Sequence, residues 1–249
     1  METAITATAT MPTIPIKLDV EKSPIIFPRT ATALLAFILV VFSLPPLAAR
    51  LMALEGDSIK QTLMESEKLT PDMLSSLDQN RGRTLRFFKR AELYNDRALA
   101  AFEHARLATA GKAPPQEIVR LYQEAEKWQI FALRRAPADP FGWYRLAYIY
   151  YLKQGASQAV ARLWHLSMLT GPYETQLSVP RLQLGIALGA LLGPQGDALI
   201  ARLAQDAFRD FPYGLPDLAV QGYFVSVIEN ALQNDPPALA LFRERVAAR

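Results

Sequence analysis

The sequence predicts an all-helical protein, and three observations lead to that expectation. No part of the chain shows sustained alternation of apolar and polar residues, which a half-buried strand would require. Apolar residues recur instead every three or four positions, which is the spacing of one helix face. Pairs and clusters of proline and glycine interrupt these stretches, so we expect short helices joined by tight connections.

Composition limits the chemistry that the chain can perform. The 249 residues include no cysteine, which excludes disulfides, thiolate catalysis and zinc sites built on sulfur. A net charge of +3 gives no general argument for binding nucleic acid. With 51% hydrophobic residues, the chain can form one or two sizeable cores. We therefore expect no metal, no other cofactor and no nucleic-acid partner.

The first element is a segment of twenty residues without a charge, TATALLAFILVVFSLPPLAA, at residues 30–49 between Arg29 and Arg50. At about 1.5 Å per residue a helix of this length spans about 30 Å, the thickness of a bilayer core. The segment predicts a transmembrane anchor, although Pro45-Pro46 would shorten the unbroken helix. A cleaved secretory signal and a buried core helix are the alternatives.

The remaining elements follow in order along the chain. The tripeptide TPD indicates a helix start, with Thr70 as the cap and Pro71 at the first helical position. Apolar spacing and the intervening breaks then predict helices at residues 83–108, 115–135, 141–152, 157–169, 174–192, 195–210, 215–233 and 236–247.

Two sets of residues in this region follow a known repeat spacing. The first comprises Trp143, Leu146, Ala147, Tyr150, Ala159 and Pro172, and the second Ala125, Ala132 and Pro137. Small side chains at Ala147 and Ala159 allow two helices to approach closely, while larger ones fill the space beside them. The pattern resembles the tetratricopeptide repeat, a pair of helices, over roughly residues 117–172. The resemblance implies a solenoid of helical pairs.

An anchor followed by tetratricopeptide-like helices resembles bacterial cell-envelope scaffolds and chaperones. LSMLTGPYE, at residues 166–174, is also similar to helical-repeat proteins associated with polysaccharide export or polymerisation. The resemblance implies a single-pass inner-membrane protein with its C-terminal domain in the periplasm. The expected organisation is a disordered tail, an anchor, a connector and a helical domain, at residues 1–28, 29–54, 55–80 and 81–249.

The crowded aromatic stretch that begins at Phe141 divides into two faces. If the repeat residues pack between paired helices, a second stripe lies on another face of the same helix. Its members are Phe141, Tyr144, Tyr148 and Tyr151. The resemblance implies that this face lines a groove for a partner protein or peptide, and tyrosine suits such recognition because its ring is both apolar and hydroxylated. A buried core and a site for a glycan or other ligand are the alternatives.

Residues 81–90, RGRTLRFFKR, contain five cations and no acid. On one continuous helix the arginines of this region would form a basic stripe opposite the apolar face. The members of that stripe are Arg83, Arg86, Arg90 and Arg97. We expect them to contact an acidic partner, such as lipid phosphates, an anionic glycan or an acidic protein surface, and a solvated helix face is the alternative.

No motif for catalysis occurs in the sequence. His104 and His165 are the two histidines, and we expect the first at the surface and the second packed beside Trp164. The chain has no nucleophile elbow, phosphate-binding glycine loop or His-Glu-x-x-His helix. We therefore expect a non-enzymatic adaptor that holds a protein partner in an envelope assembly. A chaperone for unfolded clients and an enzyme with an unrecognised site are the alternatives, and the oligomeric state is open.

Overall fold

Eleven α-helices and two 3₁₀ turns make up the secondary structure of residues 29–65 and 69–249, the part of the chain that the computed structural model describes. No strand occurs among these residues, so the predicted all-α class is confirmed. The 3₁₀ turns, Thr175–Leu177 and Gly189–Leu192, flank α7. The helices are α1 (Arg29–Glu65), α2 (Pro71–Leu85), α3 (Ala91–Ala110), α4 (Pro115–Leu133), α5 (Pro140–Gln154), α6 (Gln158–Thr170), α7 (Ser178–Leu188), α8 (Gly196–Asp210), α9 (Leu215–Gln221), α10 (Val225–Ala231) and α11 (Pro236–Ala247).

The first helix, α1, is longer than the apolar segment from which it was expected, and Pro45-Pro46 does not end it. A proline removes a backbone hydrogen bond, but the bonds on either side of it can hold a long helix together. Measured over the described residues, no helix has both the length and the hydropathy that a membrane span needs. The tail predicted at residues 1–28 lies outside the described residues.

The chain divides into two compact units, Met1–Pro46 and Leu47–Arg249. The second unit contains the hydrophobic clusters found among the described residues. Leu74 and Leu77 of α2 are completely buried in it, where they pack with α3. Residues 55–80, predicted to be a connector, therefore belong to the helical unit wherever the structure describes them.

The predicted start of α2 is confirmed. Thr70 has an extended backbone and its side-chain oxygen accepts a hydrogen bond from the N–H of Met73, while Pro71 is the first helical residue. Ser157 caps the start of α6 and Asp235 caps the start of α11 in the same way. These side chains satisfy backbone donors that would otherwise lack a partner in the first helical turn.

The prediction of a single helix at residues 83–108 is wrong. The chain turns back after α2, which ends at Leu85, and α3 begins at Ala91. Two ion pairs, one buried and one partly buried, explain this hairpin. Their partners lie 15 and 19 positions apart in sequence and would be more than about 20 Å apart along one straight helix. The pairs are Arg81 with Asp96 and Arg97 with Asp78.

Two further predicted helices are each divided. The helix expected at residues 174–192 comprises the two 3₁₀ turns and α7, and Gly189, directly after α7, has a φ of 49°. The helix expected at residues 215–233 is split into α9 and α10, and Tyr223 stands between them with a φ of 58°. A positive φ is incompatible with a right-handed helix, so the chain changes direction at both places.

Most consecutive helices from α2 onward pack against one another, and the most extensive contacts join α3 with α4, α5 with α6 and α2 with α3. The largest cluster surrounds Trp164 of α6, which is fully buried and whose Nε1 donates to the carbonyl oxygen of Arg181 at 2.9 Å. Leu146 and Ala147 are buried on α5, as the repeat spacing predicts. Pairwise packing is therefore present, and the assignment of these pairs to the tetratricopeptide repeat stays a prediction.

Candidate partner-binding surface

Helix α5 carries the tyrosine stripe because its two faces differ in composition. Pro140 supplies a fixed backbone angle at the start of the helix, and Gly155 ends it with a φ of 74°. Leu146, Ala147 and Ile149 point into the protein and are buried. The tyrosines lie four and three positions apart on another face, so their rings stand one above the next along the helix.

Three rings of the stripe form a stack that we call the tyrosine ladder, consisting of Tyr144, Tyr148 and Tyr151. The ring centroids of Tyr144 and Tyr148 are 6.1 Å apart with 9° between the planes, and those of Tyr148 and Tyr151 are 6.3 Å apart with 16° between the planes. Phe102 of α3 meets Tyr148 edge-on at 5.9 Å. Each such aromatic contact contributes roughly 0.5–1.5 kcal/mol beyond the area that it buries.

The ladder is half-buried. Its rings pack against the cluster around Trp164, and Tyr148 also packs against the cluster formed by α3 and α4. Burial raises the pKa of Tyr144, and the nearby Tyr148 adds to that shift. The rings are therefore neither fully covered core residues nor freely exposed ones. Phe141 is half-buried too, but it makes no ring contact with the ladder.

A polar network beneath the ladder fixes α5 to α3 and α4. The Nη1 of Arg145 donates to the side-chain oxygen of Gln129 at 3.1 Å, and the Nε2 of Gln129 donates to Asn95 at 2.8 Å. Asn95 in turn donates to the carboxylate of Asp139 at 2.8 Å. Burial lowers the pKa of Arg145, whereas Asp139 and other carboxylates act in the opposite direction. The network holds the helix that carries the ladder in one position.

Charged side chains stand at the C-terminal end of the ladder. Lys153 of α5 forms an ion pair with Glu126 of α4. Tyr150 hydrogen-bonds with Glu126, and this contact, together with burial, raises the pKa of Tyr150. The sequence assigns Tyr150 and Trp143 to helix pairing, but both are half-buried, and Trp143 donates its Nε1 to the carbonyl oxygen of Pro137 at 2.7 Å. Both residues thus have polar contacts at the edge of α5.

The four predicted basic residues do not form one stripe, because the helix that would align them is two helices. Arg97 is occupied within the fold: its guanidinium contacts both carboxylate oxygens of Asp78, at 2.6 and 2.9 Å, and lies 3.8 Å from the ring centroid of Trp128. Arg83 and Arg86 are exposed near the end of α2. Arg90, just before α3, is exposed and 3.8 Å from a carboxylate oxygen of Glu92.

Sequence reasoning missed two buried arginines. Arg81 is 1% exposed and donates to Asp96 at 2.8 Å and to the carbonyl oxygen of Ala53 at 3.0 Å. Arg181 is also 1% exposed, and burial lowers its pKa. The burial of Arg81 could have been predicted from its spacing, since it lies seven positions after the buried Leu74 and therefore on the same helix face. No comparable signal marks Arg181.

A polar concavity of the C-terminal half, about 300 Å³ in volume, lies beside the loop before α7. Its lining includes the exposed Tyr173 and the arginines Arg202 and Arg209. Both arginines pair with Asp206, at 3.9 and 2.7 Å, so their charges are balanced by a carboxylate in the same concavity. This arrangement gives no strong preference for an anion or a cation.

The histidines occupy structural positions. The Nε2 of His104 is 2.9 Å from the carbonyl oxygen of Pro71, and the ring of His165 packs edge-on against Trp164 at 5.2 Å. Within residues 29–65 and 69–249, no three residues among His, Asp and Glu come together as metal ligands. No protein-family model matches this sequence, and no curated protein matches it.

Proposed function

We propose that this protein is a non-enzymatic, membrane-anchored adaptor with tetratricopeptide-like helical pairs, and that the tyrosine ladder on α5 binds a partner protein. The observation that carries the proposal is the ladder itself. Three nearly parallel tyrosine rings remain partly exposed on a helix that a partly buried polar network holds in place.

Tyrosine is well suited to such a contact because it offers a large, nearly rigid apolar surface and a hydroxyl at its edge. A rigid surface loses little conformational entropy when a partner binds, so more of the contact energy remains as affinity. The stacked rings and the network around Arg145 supply this rigidity here. The exposed part of the ladder would then be the centre of the partner interface, with the ion pair of Lys153 and Glu126 at its rim.

Attachment to a membrane is part of the same proposal. Residues 30–49 carry no charge. The large apolar side chains from Leu34 to Leu44 are exposed on the surface of the protein. Exposed apolar surface of this extent favours transfer into a lipid phase. We propose that the protein lies in the bacterial inner membrane with its C-terminal domain in the periplasm. The first partner assemblies to examine are those that synthesise or export polysaccharide.

Site-specific photo-crosslinking in intact membranes tests the adaptor function. A photoreactive residue at Tyr151 should give one cross-linked product of defined mass. The same residue at Tyr223, which is 95% exposed and remote in sequence, serves as the matched control and should give none. Many weak products at Tyr151 would favour the chaperone instead. An absence of any product in membranes from the native host would refute partner binding by the ladder.

Substitution then separates binding from stability. Tyr151→Ala should reduce the yield of the cross-linked complex formed from a second probe site by at least tenfold, while the melting temperature falls by only a few degrees because the ring is half-buried. Tyr151→Phe keeps the stack and should retain most of the complex. A large loss of melting temperature combined with normal capture by the folded fraction would assign the ladder to the core.

A further inference from the structure

We infer that the turn between α2 and α3, together with Arg50 of α1, is a binding surface for the headgroups of anionic phospholipids. This inference rests on the proposed attachment to a membrane and identifies which of the acidic partners contacts the basic run. We call the surface the basic turn, and its members are Arg50, Arg83, Arg86, Phe87, Lys89 and Arg90.

Hydrogen bonds between α1 and α2 place Arg50 beside this turn. Arg81 of α2 donates to the carbonyl oxygen of Ala53, and Asn80 donates to Glu55 at 3.0 Å. Ile59 of α1 packs with Leu74 and Leu77 near the start of α2, whereas Arg50 lies near the end of α2, so the two helices are antiparallel there. A small cavity of about 140 Å³ is accordingly lined by Arg50 together with Phe88 and Arg90. The end of α2 is thus level with Arg50, the residue that directly follows the charge-free segment.

Gly56 leaves space on α1 for the side chains of Asn80 and Arg81. A Cβ built at this position would lie 2.3 Å from the Oδ1 of Asn80 and 2.6 Å from the Nη1 of Arg81. Asp57 also pairs with Arg81, and Lys60 contacts Asp96 at 2.8 Å. These contacts fix the basic turn with respect to the C-terminal part of α1, so the position of the turn does not depend on a flexible linker.

The charges of the basic turn differ from those of its neighbours. Arg81 and Arg97 are neutralised by aspartates inside the fold. Arg83, Arg86 and Lys89 are exposed and make no ion pair in the described part of the chain, and Arg90 makes only the long contact with Glu92. Exposed cations without carboxylate partners attract anionic headgroups, with a gain of roughly fivefold in binding for each charge near the surface.

Phe87 distinguishes a lipid surface from an acidic protein. Its ring is 66% exposed between the cations of the turn, where an aromatic side chain can enter the boundary between headgroups and acyl chains. Leu47, Leu51 and Leu54 of α1 are exposed as well. Apolar side chains beside unpaired cations match the two layers of an anionic membrane interface, while a soluble acidic protein would match only the cations.

The absence of cysteine from the sequence allows a direct test with the full chain. A single cysteine at Phe87→Cys, labelled with the environment-sensitive dye NBD, reports whether the turn enters a lipid interface. The chain is reconstituted into vesicles of phosphatidylcholine alone or with one third phosphatidylglycerol. A second labelled variant, Tyr223→Cys, is the control because that side chain is exposed on the turn between α9 and α10.

We expect the dye at position 87 to shift to shorter wavelength in the anionic vesicles and not in the neutral ones, and the dye at position 223 to respond in neither. Replacing Arg83, Arg86 and Lys89 together by glutamine should lower the docking equilibrium constant about 100-fold, since each charge contributes roughly fivefold. Adding salt should shift the equilibrium in the same direction, because exposed charges are screened.

Flotation of the same vesicles keeps this inference separate from the proposed membrane attachment. If the protein floats with both kinds of vesicle and survives alkaline extraction while the dye at position 87 does not respond, attachment stands and the basic turn is not a lipid surface. A response to soluble polyglutamate without a response to anionic vesicles would also overturn the inference and assign the turn to an acidic protein. A protein that floats with no vesicle would refute the attachment itself.

Discussion

Replacing Arg81 by alanine tests whether the α2–α3 hairpin depends on a buried ion pair. Arg81 and Asp96 are almost completely buried, at 1% and 4% exposure, and their Nε and Oδ2 atoms are 2.8 Å apart. Removing one partner of a buried pair costs roughly 3–5 kcal/mol, because the other charge is left in a poorly solvated site. Lys60 still contacts Asp96, so we expect the lower end of that range, about 3 kcal/mol.

Thermal unfolding of the full chain in detergent micelles, followed by circular dichroism, measures this loss. For a domain of this size, about 3 kcal/mol corresponds to a decrease of roughly 6–12 °C in melting temperature. The matched control is Arg83→Ala, which removes the same side chain from an exposed position on the same helix and should change stability by less than about 0.5 kcal/mol. Equal melting temperatures for the two variants would refute the argument.

A double-mutant cycle then shows whether the loss belongs to the pair. Asp96→Asn alone should also destabilise the protein, because Arg81 would lose its buried carboxylate. The double variant should be more stable than the sum of the two losses predicts, with a coupling of about 1 kcal/mol or more. Strict additivity would mean that Arg81 contributes through packing alone.

Three further predictions concern other parts of the helical unit. Gly142→Ala should destabilise the protein by about 1–3 kcal/mol in chemical denaturation, because its Cβ would lie 2.9 Å from Gln129 and Asp139, whereas Gly82→Ala, with 3.6 Å to the nearest atom, should stabilise it by up to about 1 kcal/mol. Equal effects would refute this steric reasoning. Because the pKa of Tyr144 is raised on folding, its contribution to stability is complete below the unfolded pKa of about 10 and declines as pH rises above it. Tyr144→Phe should flatten that decline in denaturation measured from pH 9 to 11, and an unchanged slope would contradict the assignment. Trp164→Phe should lower the unfolding free energy by about 1–3 kcal/mol, since the carbonyl of Arg181 loses its buried donor, and an unchanged denaturation midpoint would show that the bond is dispensable.

Local signals in the sequence were sufficient for most helix boundaries. Proline or glycine is the first residue of α4, α5, α8 and α11, and the side chain of Thr70 marks the start of α2. These signals act within one helical turn, so they can be recognised without knowledge of the fold. The same holds for the tyrosine ladder, whose spacing places its members on one face whatever the neighbouring helices are.

The hairpin between α2 and α3 was not predictable in this way. The segment around Phe87 contains no proline, and Gly82 lies within α2 and does not end it. The turn depends on contacts between Arg81 and Asp96 and between Arg97 and Asp78, which exist only after the chain has folded back. The same interactions removed Arg97 from the predicted binding stripe. Long-range ion pairs therefore explain two incorrect predictions, the single helix at residues 83–108 and the inclusion of Arg97 in the basic stripe.

Arg181 affects how the helical pairs can be separated. Its guanidinium donates to the carbonyl oxygens of Ser167 and Gly171, at the C-terminal end of α6, and so caps that helix from α7. The hydroxyl of Ser167 donates in turn to the carbonyl oxygen of Pro140 at 2.8 Å, which joins α5 to the same set of bonds. A solenoid can usually be shortened one repeat at a time. Here a truncation after α6 would leave its last turn uncapped, so α5, α6 and α7 should open as one cooperative unit in hydrogen exchange.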